Sequence, residues 1–209
     1  MNRLRYLIMI TVLSSIVNNA VSQADGKIKM KLNYNIGMPV GDFKNSYLNK
    51  TSYNGAGGEI FYFFNPKVAL GLNIGYQSYY QKYPRQTYKT SDNQNISAVL
   101  SNTVELMPVM VNGTFTPLSV GSSRVRPYVS AGAGITLVNY RQFYGEFSNG
   151  NASTSLAAQA GAGAMFSFGK NRTSSLQLGA NYNYASYNNN GLKSLNTLGL
   201  QVGIIFPLK

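Results

Sequence analysis

Apolar and polar side chains alternate with a period of two along most of the chain, as they do in strands with two unlike faces. From 68 to 76, Val68, Leu70, Leu72, Ile74 and Tyr76 share one parity, against Ala69, Gly71, Asn73 and Gly75 on the other. From 28 to 37, Ile28, Met30, Leu32, Tyr34 and Ile36 oppose Lys29, Lys31, Asn33, Asn35 and Gly37. Leu176, Leu178, Ala180, Tyr182 and Tyr184 oppose Gln177, Gly179, Asn181 and Asn183; Leu198, Leu200, Val202, Ile204 and Phe206 oppose Gly199, Gln201 and Gly203. Between 156 and 168, Leu156, Ala158, Ala160, Ala162, Ala164, Phe166 and Phe168 oppose Gln159, Gly161, Gly163 and Ser167.

Three further segments read as strands with less clean parity. Residues 57–64 are strand-like by aromatic content. In 99–115, Glu105 shares its parity with Met107, Val109 and Val111, and Pro108 inside the run predicts a bulge that switches register. In 125–141, Val129, Ala131, Ala133, Ile135 and Leu137 face outward against Ser130, Gly132, Gly134 and Thr136. Tight turns at Asn65-Pro66-Lys67 and Gly169-Lys170-Asn171-Arg172, and a modest one at Pro117 to Arg124, alternate with longer polar stretches near 41–56, 84–98, 142–154 and 187–194. Short turns at one rim and long loops at the other follow the outer-membrane barrel plan, with the short turns and both termini in the periplasm. Eight strands leave about 23 residues per strand and connection; ten would leave roughly 18, too few for these loops when a crossing takes about 9–11.

The first residues carry an address. Arg3 and Arg5 precede an apolar run from Leu7 to Val17, followed by the small residues Ala20, Ser22 and Ala24, so residues 1–24 are expected to be a secretory signal peptide cleaved after Ser22 or Ala24. The run is too short for a helical membrane span of about 20 residues. Gly, Asn, Lys or Gln interrupts every later apolar run. A membrane form of residues 25–209 must therefore be a closed barrel, because lipid offers no partner to an open sheet edge.

Composition sharpens this picture. The 209 residues are 44% hydrophobic and 11% charged, with 21 Gly, 16 Tyr and no Cys, Trp or His. A soluble domain averages about 25% charged residues. In a water-soluble barrel the apolar parity would point inward. With the opposite parity largely Gly, Asn, Gln, Ser and Lys, such a barrel would have to expose five large apolar side chains per strand, bury Lys29 and Lys31, or lay a core mostly of glycine. The expected fold is all-β, an eight-stranded antiparallel up-and-down transmembrane β-barrel with its greasy rows outward. Tyr79, Tyr80, Tyr140 and Tyr184 are expected in one aromatic girdle, and Phe64, Phe166 and Phe206 in the other.

Two segments resemble a known family. Val104-Glu105-Leu106-Met107-Pro108-Val109-Met110-Val111 is similar to the LEIPLLLKY strand of outer membrane β-barrel domain proteins abundant in Bacteroidota, and Arg126-Pro127-Tyr128-Val129-Ser130-Ala131-Gly132-Ala133-Gly134 resembles that family's RPYxxxGxG strand. The resemblance covers about 27–209. It implies an eight-stranded barrel of the OmpA/OmpX type, some of whose relatives, the PorT-like proteins, are tied to secretion or gliding. The chain departs at its C-terminus, where Pro-Leu-Lys follows Phe206.

Charge supplies the remaining candidates. The chain has six acidic residues, of which Glu59 and Glu105 lie in strands. A carboxylate on a barrel wall should face the lumen and pair with a cation. Glu105 first and Glu59 second are therefore expected to anchor a lumenal salt-bridge network with Lys29, Lys31, Arg126 and Arg124. The formal net charge is +12, with Lys44, Lys50, Lys82, Arg85, Lys89, Arg141 and Lys193 in or near the long loops. Outer-membrane lipid, including lipopolysaccharide, and an envelope protein are the expected partners; nucleic acid is not, given export. Without His the usual general base is missing, so no enzymatic activity, cofactor or metal is expected. The expected work is structural or interaction-based, with a filled lumen and the long loops as contact surface. The alternative is a narrow pore or a transport or secretion accessory.

Overall fold

A computed structural model describes residues 28–89, 95–118, 123–145, 147–168, 174–189 and 192–208; the signal segment 1–24 and the turn 169–172 lie outside them. Eight strands form one closed antiparallel barrel in sequence order: β1 Ile28–Val40, β2 Ser52–Phe63, β3 Val68–Lys89, β4 Asn95–Phe115, β5 Val125–Tyr144, β6 Phe147–Phe168, β7 Ser174–Asn189 and β8 Leu192–Pro207. A six-residue helix α1, Gly41–Ser46, follows β1. Closure comes from β1 against β8, in register from Lys29↔Pro207 to Val40↔Asn196.

The apolar rows point away from the lumen. Leu70, Leu72, Leu178 and Leu200 are 45%, 51%, 40% and 48% exposed, while Lys29, Lys31, Glu59, Gln177 and Gln201 on the opposite rows are buried. In β2, Phe61 and Glu59 turn inward and Ile60 and Tyr62 outward. A sheet closed on itself has little room inside, so the small and polar residues take the lumen and the hydrocarbon takes the outside.

Pro108 does not shift register. Pairing of β4 with β5 runs unbroken from Leu100↔Tyr144 through Pro108↔Thr136 to Phe115↔Val129. On the β3 side pairing lapses between Ile74↔Val109 and Gln77↔Leu106 and resumes at the same offset. The amide hydrogen that proline lacks is thus missing from the β3 ladder, opposite Gly75, where a Cβ would come within 3.1 Å of the Pro108 ring. The bulge expected at Pro108 is absent; the register of this pair shifts in β3, between Lys82 and Arg85.

Of the four stretches expected as long loops, all but 41–56 are largely strand among the described residues. β3 to β6 run 22, 21, 20 and 22 residues, about twice the 9–11 that a crossing needs. The described residues of 84–98 and 142–154 are hydrogen-bonded strand, paired up to Lys89↔Asn95 and Tyr144↔Phe147. β7 and β8 pair up to Asn189↔Leu192, so 187–194 is also mostly strand. β1 and β2 are shorter, at 13 and 12 residues. A four-stranded sheet, β3 to β6, therefore stands beyond the rest of the rim.

Two strand glycines separate close packing from mere smallness. A Cβ on Gly134 would run into the Val109 carbonyl oxygen and lie 2.8 Å from the Met110 Cα; on outward-facing Gly113 it would meet only the Ala131 carbonyl oxygen, at 3.8 Å. Gly134→Ala is expected to cost about 1–3 kcal/mol through overpacking. Gly113→Ala should be neutral or stabilise by up to about 1 kcal/mol, by reducing the freedom of the unfolded chain. Urea unfolding of both variants in detergent micelles checks the contrast.

Candidate functional site

The lumen is built in three storeys. At the short-turn end, Lys31 Nζ lies 2.6 Å from a Glu59 carboxylate oxygen, both side chains being almost wholly buried. Asn112 Nδ2 donates to the other Glu59 oxygen at 3.2 Å. The Lys29 and Lys31 ammonium groups sit 5.3 Å from the Phe63 and Phe61 ring centroids. Arg126 is 2% exposed, and its Nη2 donates to Ser175 Oγ at 3.2 Å. Cross-strand register, Lys31↔Glu59, brings the ion pair together. The four inward candidates, Lys29, Lys31, Glu59 and Arg126, thus share one half of the lumen.

Glu105 lies elsewhere. Because the register holds at Pro108, Glu105 stays on the outward row with Met107 and Val111, opposite Ser78 and Asn139. Its carboxylate accepts hydrogen bonds from Tyr76 Oη at 3.0 Å and Asn139 Nδ2 at 2.9 Å. Arg124 is an exposed turn residue. Neither is placed in the lumen.

The middle storey is an amide lattice. Asn33 donates to Asn35 at 2.6 Å, Asn181 to Asn183 at 3.2 Å, and Asn183 to Thr197 at 3.2 Å. These side chains border a cavity of about 80 Å³, room for a few waters.

Helix α1 closes the upper storey. Phe43 is fully buried and Leu48 nearly so, in a cluster with Tyr79, Val104, Leu106 and Val138. The Phe43 ring meets Tyr79 edge-on at 5.4 Å, and Tyr47 lies 4.8 Å from Tyr140. Sequence reasoning overlooked this plug. Its signal was Phe43, Tyr47 and Leu48 standing in an otherwise polar stretch. Tyr79 and Tyr140 belong to it and are not girdle residues: neighbouring strand residues face opposite ways, so Tyr80 points out and Tyr79 must point in. Tyr80, Tyr184, Phe64 and Phe166 are exposed on the outer surface, and Phe206 is partly exposed on the same outward row as Ile204.

Above the plug, the inner face of the projecting sheet forms a polar cup of about 1040 Å³. Seven of its thirteen lining residues are Asn or Gln, three are Tyr and one is Lys. Gln142 Nε2 donates to Asn102 Oδ1 at 3.0 Å, and Tyr144 Oη to Gln142 Oε1 at 2.6 Å. The Asn49 backbone N–H donates to Gln81 Oε1 at 2.7 Å, and Tyr83 Oη to the Tyr47 carbonyl at 2.7 Å, which ties the plug to the wall.

An outward apolar band between aromatic rims, around a lumen lined by small and polar residues, defines a β-barrel of the outer-membrane class. The chain belongs to the outer membrane protein beta-barrel domain family, whose profile matches residues 7–206. Among solved structures it is similar to Neisserial surface protein A, at 15% identity and a TM-score of 0.57 over 88% of this chain and 97% of that one. It is also similar to Ail, the attachment invasion locus protein of Yersinia pestis, at 17% identity and a TM-score of 0.51 over 88% of this chain and all of that one. At such identities the likeness speaks for the fold alone. No curated protein matches significantly in sequence.

Proposed function

We propose that this protein is a non-conducting barrel of the outer membrane that works by interaction at its extracellular mouth, after export by a signal peptide at residues 1–24. The long hairpins stand outside the cell and the short turns in the periplasm. The observation that carries the reading is the double stopper: the Phe43 and Leu48 plug at one end, and the Lys31–Glu59 pair with Arg126 at the other. The buried charges act as a fixed lumenal network that holds the base shut. Lys82 and Arg141 are exposed and flank β4 on its outer face, opposite Ser101 and Thr103, where they meet phosphorylated lipid of the outer leaflet, lipopolysaccharide included. The motif resemblance supports a place among the Bacteroidota barrels, and with it an envelope protein partner and a PorT-like accessory role in secretion.

Planar-bilayer recording tests the reading. The purified full-length barrel is expected to give a silent bilayer. Steady unitary openings would favour the narrow pore, because they require a continuous wet path past Phe43 and past the ion pair.

A further inference from the structure

Resting on the reading of the mouth as the working surface, we infer that the cup above the plug is a binding site for a neutral, hydroxyl-rich ligand, a short oligosaccharide segment. An amide side chain presents donor and acceptor in one plane, which suits the paired hydroxyls of a sugar ring. Asn102, Gln142 and Gln81 are already held by protein hydrogen bonds at 2.7–3.0 Å, so little side-chain freedom is left to lose on binding. Tyr47, only partly buried at the floor and backed by the buried Tyr140, offers the cup an aromatic contact for the apolar side of a sugar.

Charge decides against an anionic ligand. Among the described residues the cup is lined by no carboxylate and by the single cation Lys44. The sheet's basic residues Lys82 and Arg141 stand on its other face, in the outward row with Tyr80. Around the cup, the inner face of these strands thus carries amides while Lys82 and Arg141 stand on the outer face. A sulfated or phosphorylated chain would need the cations inside the cup, where clustered Arg and Lys make the strong bonds to such groups. At about 1040 Å³ the cup lies at the upper end of ligand-pocket sizes, larger than a monosaccharide needs.

The test titrates the full-length protein, 15N-labelled in nanodiscs, with maltoheptaose, chitotetraose and a dextran oligomer. Concentrations reach about 10 mM, enough to saturate a millimolar site. Dextran sulfate and a Gly-Ser decapeptide are run in parallel. At least one neutral oligosaccharide is expected to shift the side-chain amide signals of the cup in a saturable way. Asn102→Leu with Gln142→Leu should then weaken binding at least about tenfold. These two side chains also support the fold, so a second variant, Asn149→Ala with Asn151→Ala on the exposed arm of the wall, should weaken it too while leaving the melting temperature unchanged. Absence of saturable shifts with every neutral oligosaccharide, shifts only with dextran sulfate or the peptide, or binding untouched by both variants would overturn the assignment. A silent bilayer beside such a result leaves the closed-barrel reading standing and removes the cup alone; steady openings remove the reading beneath it.

Discussion

Leu72→Arg is expected to lower the unfolding free energy of the barrel in lipid vesicles by about 2–4 kcal/mol. Leu72 lies mid-band on the outer surface, between Phe64 at one rim and Tyr80 at the other, and its cross-strand neighbours Ile60 and Val111 are exposed apolar residues of the same outward row. At 51% exposure, an arginine there would cost a water-soluble protein no more than about 0.5 kcal/mol either way, since surface substitutions away from special features are mild. In hydrocarbon the guanidinium must snorkel or draw water after it. The two environments therefore differ by several-fold in the same measurement, and the position of the greasy rows becomes a number. Lys82→Arg, above the band on the same outward parity, should be near neutral. Urea titration of the folded fraction in vesicles reads all three proteins; a Leu72→Arg cost as small as that of Lys82→Arg would place this face in water.

Where one strand face meets hydrocarbon and the other a narrow polar lumen, the chain has to alternate, and β1, β3, β6, β7 and β8 were legible for that reason. The projecting parts of β3 to β6 were not. Both of their faces carry polar side chains, so residues such as Gln81, Lys82, Asn149 and Asn151 give no contrast of parity and look like loop. The plug hid for another reason: six helical residues are too few to display a helical period, and only the isolated Phe43 and Leu48 gave it away. The candidate carboxylates show how one local misreading propagates. The expectation that a wall carboxylate faces the lumen put Glu105 there ahead of Glu59, and the register switch expected at Pro108 took the weight from its outward parity. Proline removes one hydrogen bond from one ladder, and glycine at 75 makes room for its ring, so the strand passes straight through. The meeting of Lys31 with Glu59 depends on the register between two strands, which no single strand's pattern contains.

Glu59→Gln is expected to be the most damaging single substitution in the lumen, at about 3–5 kcal/mol, the usual cost of stranding one partner of a buried ion pair. The Lys31 and Glu59 side chains are 6% and 2% exposed, so water cannot rescue the ammonium that remains. Lys29 and Arg126 are buried in the same half of the lumen, so the ammonium left behind has like charges in its own storey. The neutral amide keeps the shape of the carboxylate, which makes the loss one of charge and not of packing. Replacing both partners, Lys31→Met with Glu59→Leu, should recover most of the stability, because it removes the desolvation cost of two ions along with their attraction. Glu105→Gln gives the contrast. Its carboxylate is half-buried on the outer wall and bonded to neutral Tyr76 and Asn139, so about 1 kcal/mol is expected. Denaturant midpoints of the four proteins in the same lipid decide the matter: a Glu59→Gln cost no larger than that of Glu105→Gln would mean that the base of the lumen is wet, and that the ion pair does not hold it shut.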